Sequence, residues 1–252
     1  MNNLLKIILL AIFFFVGSSA VMADDATNIA PIAQVIWVKG SVTATQTNNQ
    51  PRDLKRRSPL YLRDTIVTGP DGEAQIVFTD QSTVALRSGS ELMIADYKFD
   101  PKKPNQSNEK YVLNLVKGGL RTITGIIPKD NPDSYQVNTP VATIGVRGTE
   151  YSIACSGIGG KVSNCATATW RGVINVSNSS GTIQLQACNG TASAQCAPYA
   201  VINSGMKPLV QTQRPVILQT REPMLIPSLF GAPPVPRSGS GGSIIVKGKF
   251  CI

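Results

Sequence analysis

Beyond residue 30, apolar side chains do not recur every three or four positions as they would along a helix. They come in short runs rich in Val, Ile, Thr and aromatics, each bounded by turn residues. The runs fall at 32–38, 41–45, 74–79, 83–87, 91–97, 111–116, 150–154, 173–177 and 182–186. This pattern predicts an all-β fold. Gly69-Pro70-Asp71-Gly72 combines a fixed φ, a side-chain acceptor and a residue free to take positive φ, so it should reverse the chain. Asn178-Ser179-Ser180-Gly181 should do the same. Three steps, Lys39-Gly40, Lys117-Gly118 and Arg171-Gly172, each place a cation and a glycine between apolar stretches. A glycine inside a strand pattern marks a bulge or bend. Three such corners suit a sheet that folds back on itself, as a sandwich or an irregular β-solenoid without strict repeats.

The N-terminus reads as a secretory signal over residues 1–23: a cation at Lys6, an apolar run at 7–16, then small residues before Asp24. That run is shorter than the roughly 20 residues that span a bilayer, so the segment is expected to be cleaved, with no transmembrane segment after it. Lys and Arg number 24 against 15 Asp and Glu, a net charge of +9. Such an excess serves solubility, or attraction to an anionic surface. From about Ser204 the composition turns to Pro, then Gly and Ser, which marks 204–252 as a tail; 244–252 regains β character.

Export permits disulfides among Cys155, Cys165, Cys188, Cys196 and Cys251. The simplest pairing joins Cys155 to Cys165 and Cys188 to Cys196, with cross-pairing between the two loops open. Cys251 is then left as a free thiol, an intermolecular bridge leading to an oligomer, or a partner for one of the four. Neither pair has metal-knuckle spacing and the chain contains no histidine, so no metal site is expected.

Two stretches are more specific. The first runs from Leu62-Arg63-Asp64-Thr65 through Gly72-Glu73-Ala74 to Asp80 and Val84-Ala85-Leu86. The second is Asn138-Thr139-Pro140-Val141-Ala142-Thr143-Ile144-Gly145-Val146-Arg147-Gly148-Thr149-Glu150. Together they resemble the FecR-type domain, the periplasmic module of bacterial iron-uptake regulators that also occurs in stand-alone exported proteins. The resemblance covers about residues 35–155. Two positions depart from it, because Arg63 and Gln81 stand where the family commonly has glycine, so those turns are expected to differ slightly. The resemblance implies an all-β FecR-like domain at 32–155, followed by a Cys-containing β extension at 156–203 and the tail. It also implies a periplasmic, secreted or cell-surface location and contact with an envelope protein or an acidic or cell-wall glycan. The cytoplasmic anti-sigma region and membrane helix of the regulators are not expected in this chain, so their signalling role is not carried over.

In the second stretch Thr139, Pro140, Ala142, Gly145, Arg147, Gly148 and Thr149 read as architecture. Gly145 and Gly148 are expected to let the backbone bend or bulge, Pro140 to sit at a strand start or edge, and Arg147 to pair with Asp64, Asp80 or Glu150, with contact to a ligand as the alternative. Arg52, Lys55, Arg56 and Arg57 form the densest basic cluster, either a solvated loop or a grip on phosphate or uronate groups. Nucleic acid is a poor candidate, since no aromatic platform accompanies the cations. Trp37 and Trp170 are read as core or as packing over a strand glycine, with stacking on sugar rings as the alternative.

Without histidine, Ser-His-Asp, Cys-His and His-based metal catalysis are excluded. Few enzyme classes survive; a paired-carboxylate glycan hydrolase stays open, with Asp64, Asp80, Glu91 and Asp96 as candidates. No cofactor is expected. The reading is an exported, non-catalytic binding or scaffold module of the cell envelope; the rivals are a sensory component relaying a transporter signal, a tail-docked attachment protein, and that hydrolase.

Overall fold

The structure is a computed structural model. It describes residues 30–219 apart from 48, 105, 131 and 189–196. The expected signal at 1–23, Cys196, Cys251 and the tail beyond 219 lie outside the described residues.

Seventeen strands, hydrogen-bonded in two layers, account for most of the described chain. The first layer runs β4 (Pro59–Leu60), β1 (Ala33–Lys39), β6 (Glu73–Phe78), β7 (Thr83–Leu86), β9 (Lys110–Ile123), β12 (Glu150–Ile158), β13 (Lys161–Arg171), β16 (Tyr199–Asn203) and β17 (Leu209–Gln211). The second runs β3 (Arg52–Asp53), β2 (Val42–Thr45), β5 (Thr65–Thr68), β8 (Glu91–Lys98), β9 again, β10 (Tyr135–Asn138), β11 (Thr143–Val146), β14 (Val173–Asn178) and β15 (Gly181–Gln186). Neighbours are antiparallel except β9 and β10, which are parallel. The fold is all-β, as the sequence pattern predicts, and the sheet is not closed.

The long strand β9 belongs to both layers. Residues 110–117 pair with β8, and residues 118–123 pair with β12. The crossing is made at Gly118, at φ +79°, where a Cβ would stand 2.4 Å from the Cα of Ser90. Buried Ser90 secures the bend by accepting from the Gly119 amide and donating to the Gly119 carbonyl, both at 2.9 Å. Gly40, between β1 and β2, and Gly172, between β13 and β14, also have positive φ where the chain changes layer. The three expected corners are therefore real corners. Both expected turns form: Gly72 N donates to Gly69 O at 3.0 Å, and Asn178 faces Gly181 across a tight hairpin.

Side chains alternate in and out of one shared core. Ile76, Leu86, Leu120 and Ile153 come from the first layer, and Ile66, Leu92, Leu113, Val137, Ile144 and Ile174 from the second. Phe78, Tyr97, Tyr111 and Tyr135 form a chain of ring contacts through it, with Tyr111 stacked on Tyr135 at 4.6 Å. Tyr135 and Tyr151 share a hydroxyl hydrogen bond at 3.0 Å. The core spans the expected boundary at 155/156: Cys165, Ile174, Val176, Leu185, Ala200 and Ile202 belong to it. Residues 209–219, which composition assigns to the tail, form β17 on the edge of β16 and a short helix α2 (Val216–Gln219). Leu218 of α2 is buried on the outer face of the first layer among Ala154, Ala166 and Ala168.

Cys155 and Cys165 stand opposite each other in the β12–β13 hairpin, with Cα atoms 4.0 Å apart, and are disulfide-bonded as expected. Cys188 is disulfide-bonded too, with its expected partner Cys196 outside the described residues.

Candidate functional site

The densest basic cluster divides. Arg52 turns inward and holds both carboxylate oxygens of Asp64, which is fully buried. Asp64 in turn accepts from the Tyr61 amide at 2.8 Å. Arg52 is thus a structural residue, whereas Lys55, Arg56 and Arg57 stay exposed on the turn between β3 and β4.

Most of the second motif is architecture. The Thr139 hydroxyl accepts from the amides of Val141 and Ala142 and donates to the Ala142 carbonyl, closing the turn that carries Pro140 between β10 and β11. Ala142 is buried. Buried Thr149 donates its amide to Thr124 Oγ1 at 2.8 Å. Gly148, at φ +64°, turns the chain from β11 into β12.

Two motif residues behave otherwise. Gly145 has no left-handed backbone and nothing within 4 Å of a would-be Cβ, so the bend expected there is absent. The ion pair expected of Arg147 is absent as well, because its candidate partners are engaged elsewhere. Asp64 is held by Arg52, and Glu150 accepts from Arg121 Nε at 3.1 Å. Asp80 is sealed inside, accepting from the Ser82 amide and hydroxyl. Arg147 is left exposed on the outward side of β11, beyond Thr143 and Gly145.

The fold brings two more cations to this place. The glycine corners at 148 and 172 abut, since a Cβ on Gly172 would lie 2.8 Å from the Gly148 carbonyl. A Cβ on Gly148 would touch Lys129 of the short helix α1 (Ile127–Asp130) at 3.5 Å. Arg147 and Arg171 precede the two glycines in sequence. Lys129, Arg147 and Arg171 are all exposed, and among the described residues none makes an ion pair. Sequence reasoning had two of the three in view as parts of different motifs and missed Lys129. The cue was the repeated cation-Gly step, which marks corners that the fold stacks together.

Three of the four carboxylates considered for hydrolysis are otherwise occupied, and Asp96 is exposed on β8. Asp64 is bound to Arg52, and Glu91 pairs with Lys117 at 3.5 Å. Burial pushes the Asp80 carboxyl above its ordinary range, against hydrogen bonds from Ser82 that pull it down. Burial likewise raises Tyr97, Tyr111, Tyr135 and Tyr151 above the usual tyrosine range. Among the described residues no three His, Cys, Asp or Glu side chains gather as metal ligands would.

Neither tryptophan enters the main core. Trp170 lies on the outer face of the first layer, with Arg121 at 5.5 Å and Arg214 at 5.3 Å from its ring and Nε1 donating to Ser152 Oγ at 2.9 Å. Trp37 pairs with Gln75 on the same face. Of the placements expected for them, the core one is not taken: both are half-buried on the sheet's outside.

Residues 64–175 match the protein family described as FecR protein. The FecR likeness thus covers the middle of the chain, residues 64–175. The match starts later than the expected 35–155 and runs on through β13 into β14, strands that share the core and both layers with the rest. Two crystal structures of a candidate anti-sigma factor from Parabacteroides distasonis are similar at 14% identity, with TM-scores of 0.41 and 0.42. The matches cover 57% and 58% of this chain and the same shares of those chains, so this chain spans less than two thirds of their length. A solved cell surface anchoring domain is 31% identical over 27% of this chain and 88% of its own, with a TM-score of 0.26. No curated protein matches the chain.

Proposed function

We propose that this FecR-domain protein is an exported, non-catalytic binding module of the bacterial cell envelope that takes an anionic partner at the corner formed by Lys129, Arg147 and Arg171. The carrying observation is that these exposed cations lack ion pairs, with Arg147 and Arg171 at strand ends before abutting glycine corners and Lys129 on the short helix α1 beside Gly148. Preorganised arginines recognise carboxylate or phosphate groups in pairs of hydrogen bonds at little cost in ordering. The Lys55, Arg56 and Arg57 turn supplies a second cationic contact. Acidic cell-wall glycan and an acidic envelope protein both present such anions.

The test is co-sedimentation of the mature protein with isolated cell-wall sacculi at low and high salt. Salt-sensitive pelleting that drops at least tenfold in the Lys129→Ala, Arg147→Ala, Arg171→Ala variant supports the glycan version. Pelleting that ignores these residues overturns the site; failure of the unmodified protein to pellet overturns the glycan version and points to a protein.

The FecR match favours a second reading, a sensory component that relays a transporter signal to another envelope protein. Cross-linking in cells that captures an outer-membrane transporter through Arg147 supports it, and a capture profile unchanged by Arg147→Ala argues against it.

A further inference from the structure

Strands β8 and β9 end their pairing with Lys98 directly opposite Lys110. Their neighbours Tyr97 and Tyr111 belong to the core, so both lysines point outward from the second layer, and both are exposed. Like charges set opposite one another across an antiparallel pair destabilise it. No carboxylate relieves these two. Asp96 and Asp100 flank Lys98 and are exposed, yet among the described residues neither forms an ion pair, and Asp100 instead accepts from the Lys102 amide at 2.9 Å. The turn beyond adds Lys102 and Lys103, also exposed and without ion pairs.

The strand register carries this pair across to Arg147. Tyr135 of β10 lies beside Tyr111 in the parallel pair, and Val137 lies opposite Ile144 of β11. One residue before Tyr135, position 134 is therefore level with Lys110 on one side and with Arg147 on the other. Arg147 follows Val146, a core residue, and faces outward too. Lys98, Lys110 and Arg147 thus stand on one rung, on the same side of the sheet. From β8 to β11 is three strand spacings, about 14 Å. A lone carboxylate meets only part of such a rung; a chain of anions meets all of it.

The rows beside the rung are neutral and polar. Gly145 of β11 faces Asn175 of β14, which faces Gln184 of β15, and Gln184 Nε2 donates to Asn175 Oδ1 at 3.3 Å. One row further, Asn114, Asn138, Thr143 and Ser177 face one another in turn. Asn138 Nδ2 donates to Asn114 Oδ1, and Thr143 Oγ1 donates to Asn138 Oδ1, each at 3.0 Å. Side-chain amides both donate and accept, as sugar hydroxyls do, and nothing stands within 4 Å of where a Cβ on Gly145 would be.

We infer that the occupant of this face is an acidic polysaccharide, with successive carboxylates along Lys98, Lys110 and Arg147 and its hydroxyls on the amide rows. This rests on the reading of the Arg147 corner as an anion site, and adds the ligand's class and extent. The ligand is a polymer lying across four strands.

Titration of the full mature chain with galacturonate monomer, trimer and hexamer tests it, beside hexaglutamate, which has the carboxylates without the sugar hydroxyls. The hexamer should bind at least tenfold tighter than either the monomer or hexaglutamate, with the trimer between. Lys98→Gln, Lys110→Gln should lose most of that gain. Because this variant removes a repulsion, it should melt no lower than the unmodified protein, so lost binding is not lost folding. Monomer and hexamer bound alike, no galacturonate bound, or a hexamer affinity indifferent to the two lysines overturns the rung. Hexaglutamate bound as tightly as the hexamer overturns the polysaccharide as occupant. The corner reading fails separately, when sacculus pelleting ignores Lys129, Arg147 and Arg171.

Discussion

Arg52 grips Asp64 through two hydrogen bonds, Nη1 to Oδ1 at 2.9 Å and Nη2 to Oδ2, joining the short strand β3 to the turn that begins β5. The carboxylate is 0% exposed, while the arginine keeps 36% of its side-chain surface. Removing the cation strands a buried charge, which costs about 3–5 kcal/mol when both partners are buried. Solvent reaches the Arg52 side, so Arg52→Met should lose about 2–3 kcal/mol in urea unfolding. Adding Asp64→Asn should return part of that loss. A single variant within about 0.5 kcal/mol of the unmodified protein would mean that solvent alone satisfies Asp64.

Arg63 and Gln81 hold φ at +69° and +70°, so the turns where the FecR resemblance leads one to expect glycine keep a glycine-like backbone after all. An L-residue in that region costs about 1–2 kcal/mol, partly offset by the lower chain entropy that any side chain gives the unfolded state. Arg63→Gly and Gln81→Gly should each raise stability by about 0.5–1 kcal/mol and together raise Tm by a few degrees. A fall in Tm for either would show that the side chain contributes more than the backbone costs.

The strand-rich character, the two turns and the layer-crossing glycines were legible because each rests on local chemistry: β-branched runs, an Asx acceptor, a backbone that only glycine takes comfortably. Strand β13 was not, because its inward and outward positions are Cys165, Ala166, Thr167, Ala168 and Thr169, small residues packed tightly against β12 and β16, in which two threonines alone carry a β-branch and no Val, Ile or aromatic announces a strand. The partner of Arg52 was hidden for another reason. Nothing at positions 52 and 64 says that the chain will bring them together, and the same long-range folding leaves Arg147 without the carboxylates it had seemed to need. The basic corner at Lys129, Arg147 and Arg171 depends on two glycine corners touching across the sheet, a contact no local pattern encodes.

The Asp80 carboxyl, raised by burial, makes folding stability depend on pH. A carboxyl whose folded value lies above its unfolded value binds its proton more tightly in the native state. That contribution is complete at acid pH and is lost as pH rises through the folded value. Asp80→Asn does not titrate and keeps an acceptor for the Ser82 amide and hydroxyl. The unmodified protein should therefore lose stability relative to Asp80→Asn between about pH 4 and about pH 7. Urea midpoints of both proteins at the two pH values give the answer, and a difference that does not change with pH would rule out a titrating, raised carboxyl.

Gly118 and Gly145 make opposite demands. A methyl at Gly118 meets the Ser90 Cα at 2.4 Å in a backbone at φ +79°, in the one strand common to both layers. Gly118→Ala should cost more than about 2 kcal/mol, from steric overlap added to the left-handed strain. At Gly145 an added methyl enters open space on an ordinary strand, where alanine is favoured over glycine by about 0.5–1 kcal/mol. Gly145→Ala should then leave Tm unchanged or slightly higher. Its informative readout is binding. Gly145 lies on the outward side of β11, two residues before Arg147, so a bulkier side chain there, Gly145→Gln, should fold normally yet weaken sacculus or partner binding if the bare strand is where the partner comes close. Unaltered binding by Gly145→Gln, with Arg147→Ala still defective, would confine the contact to the corner itself.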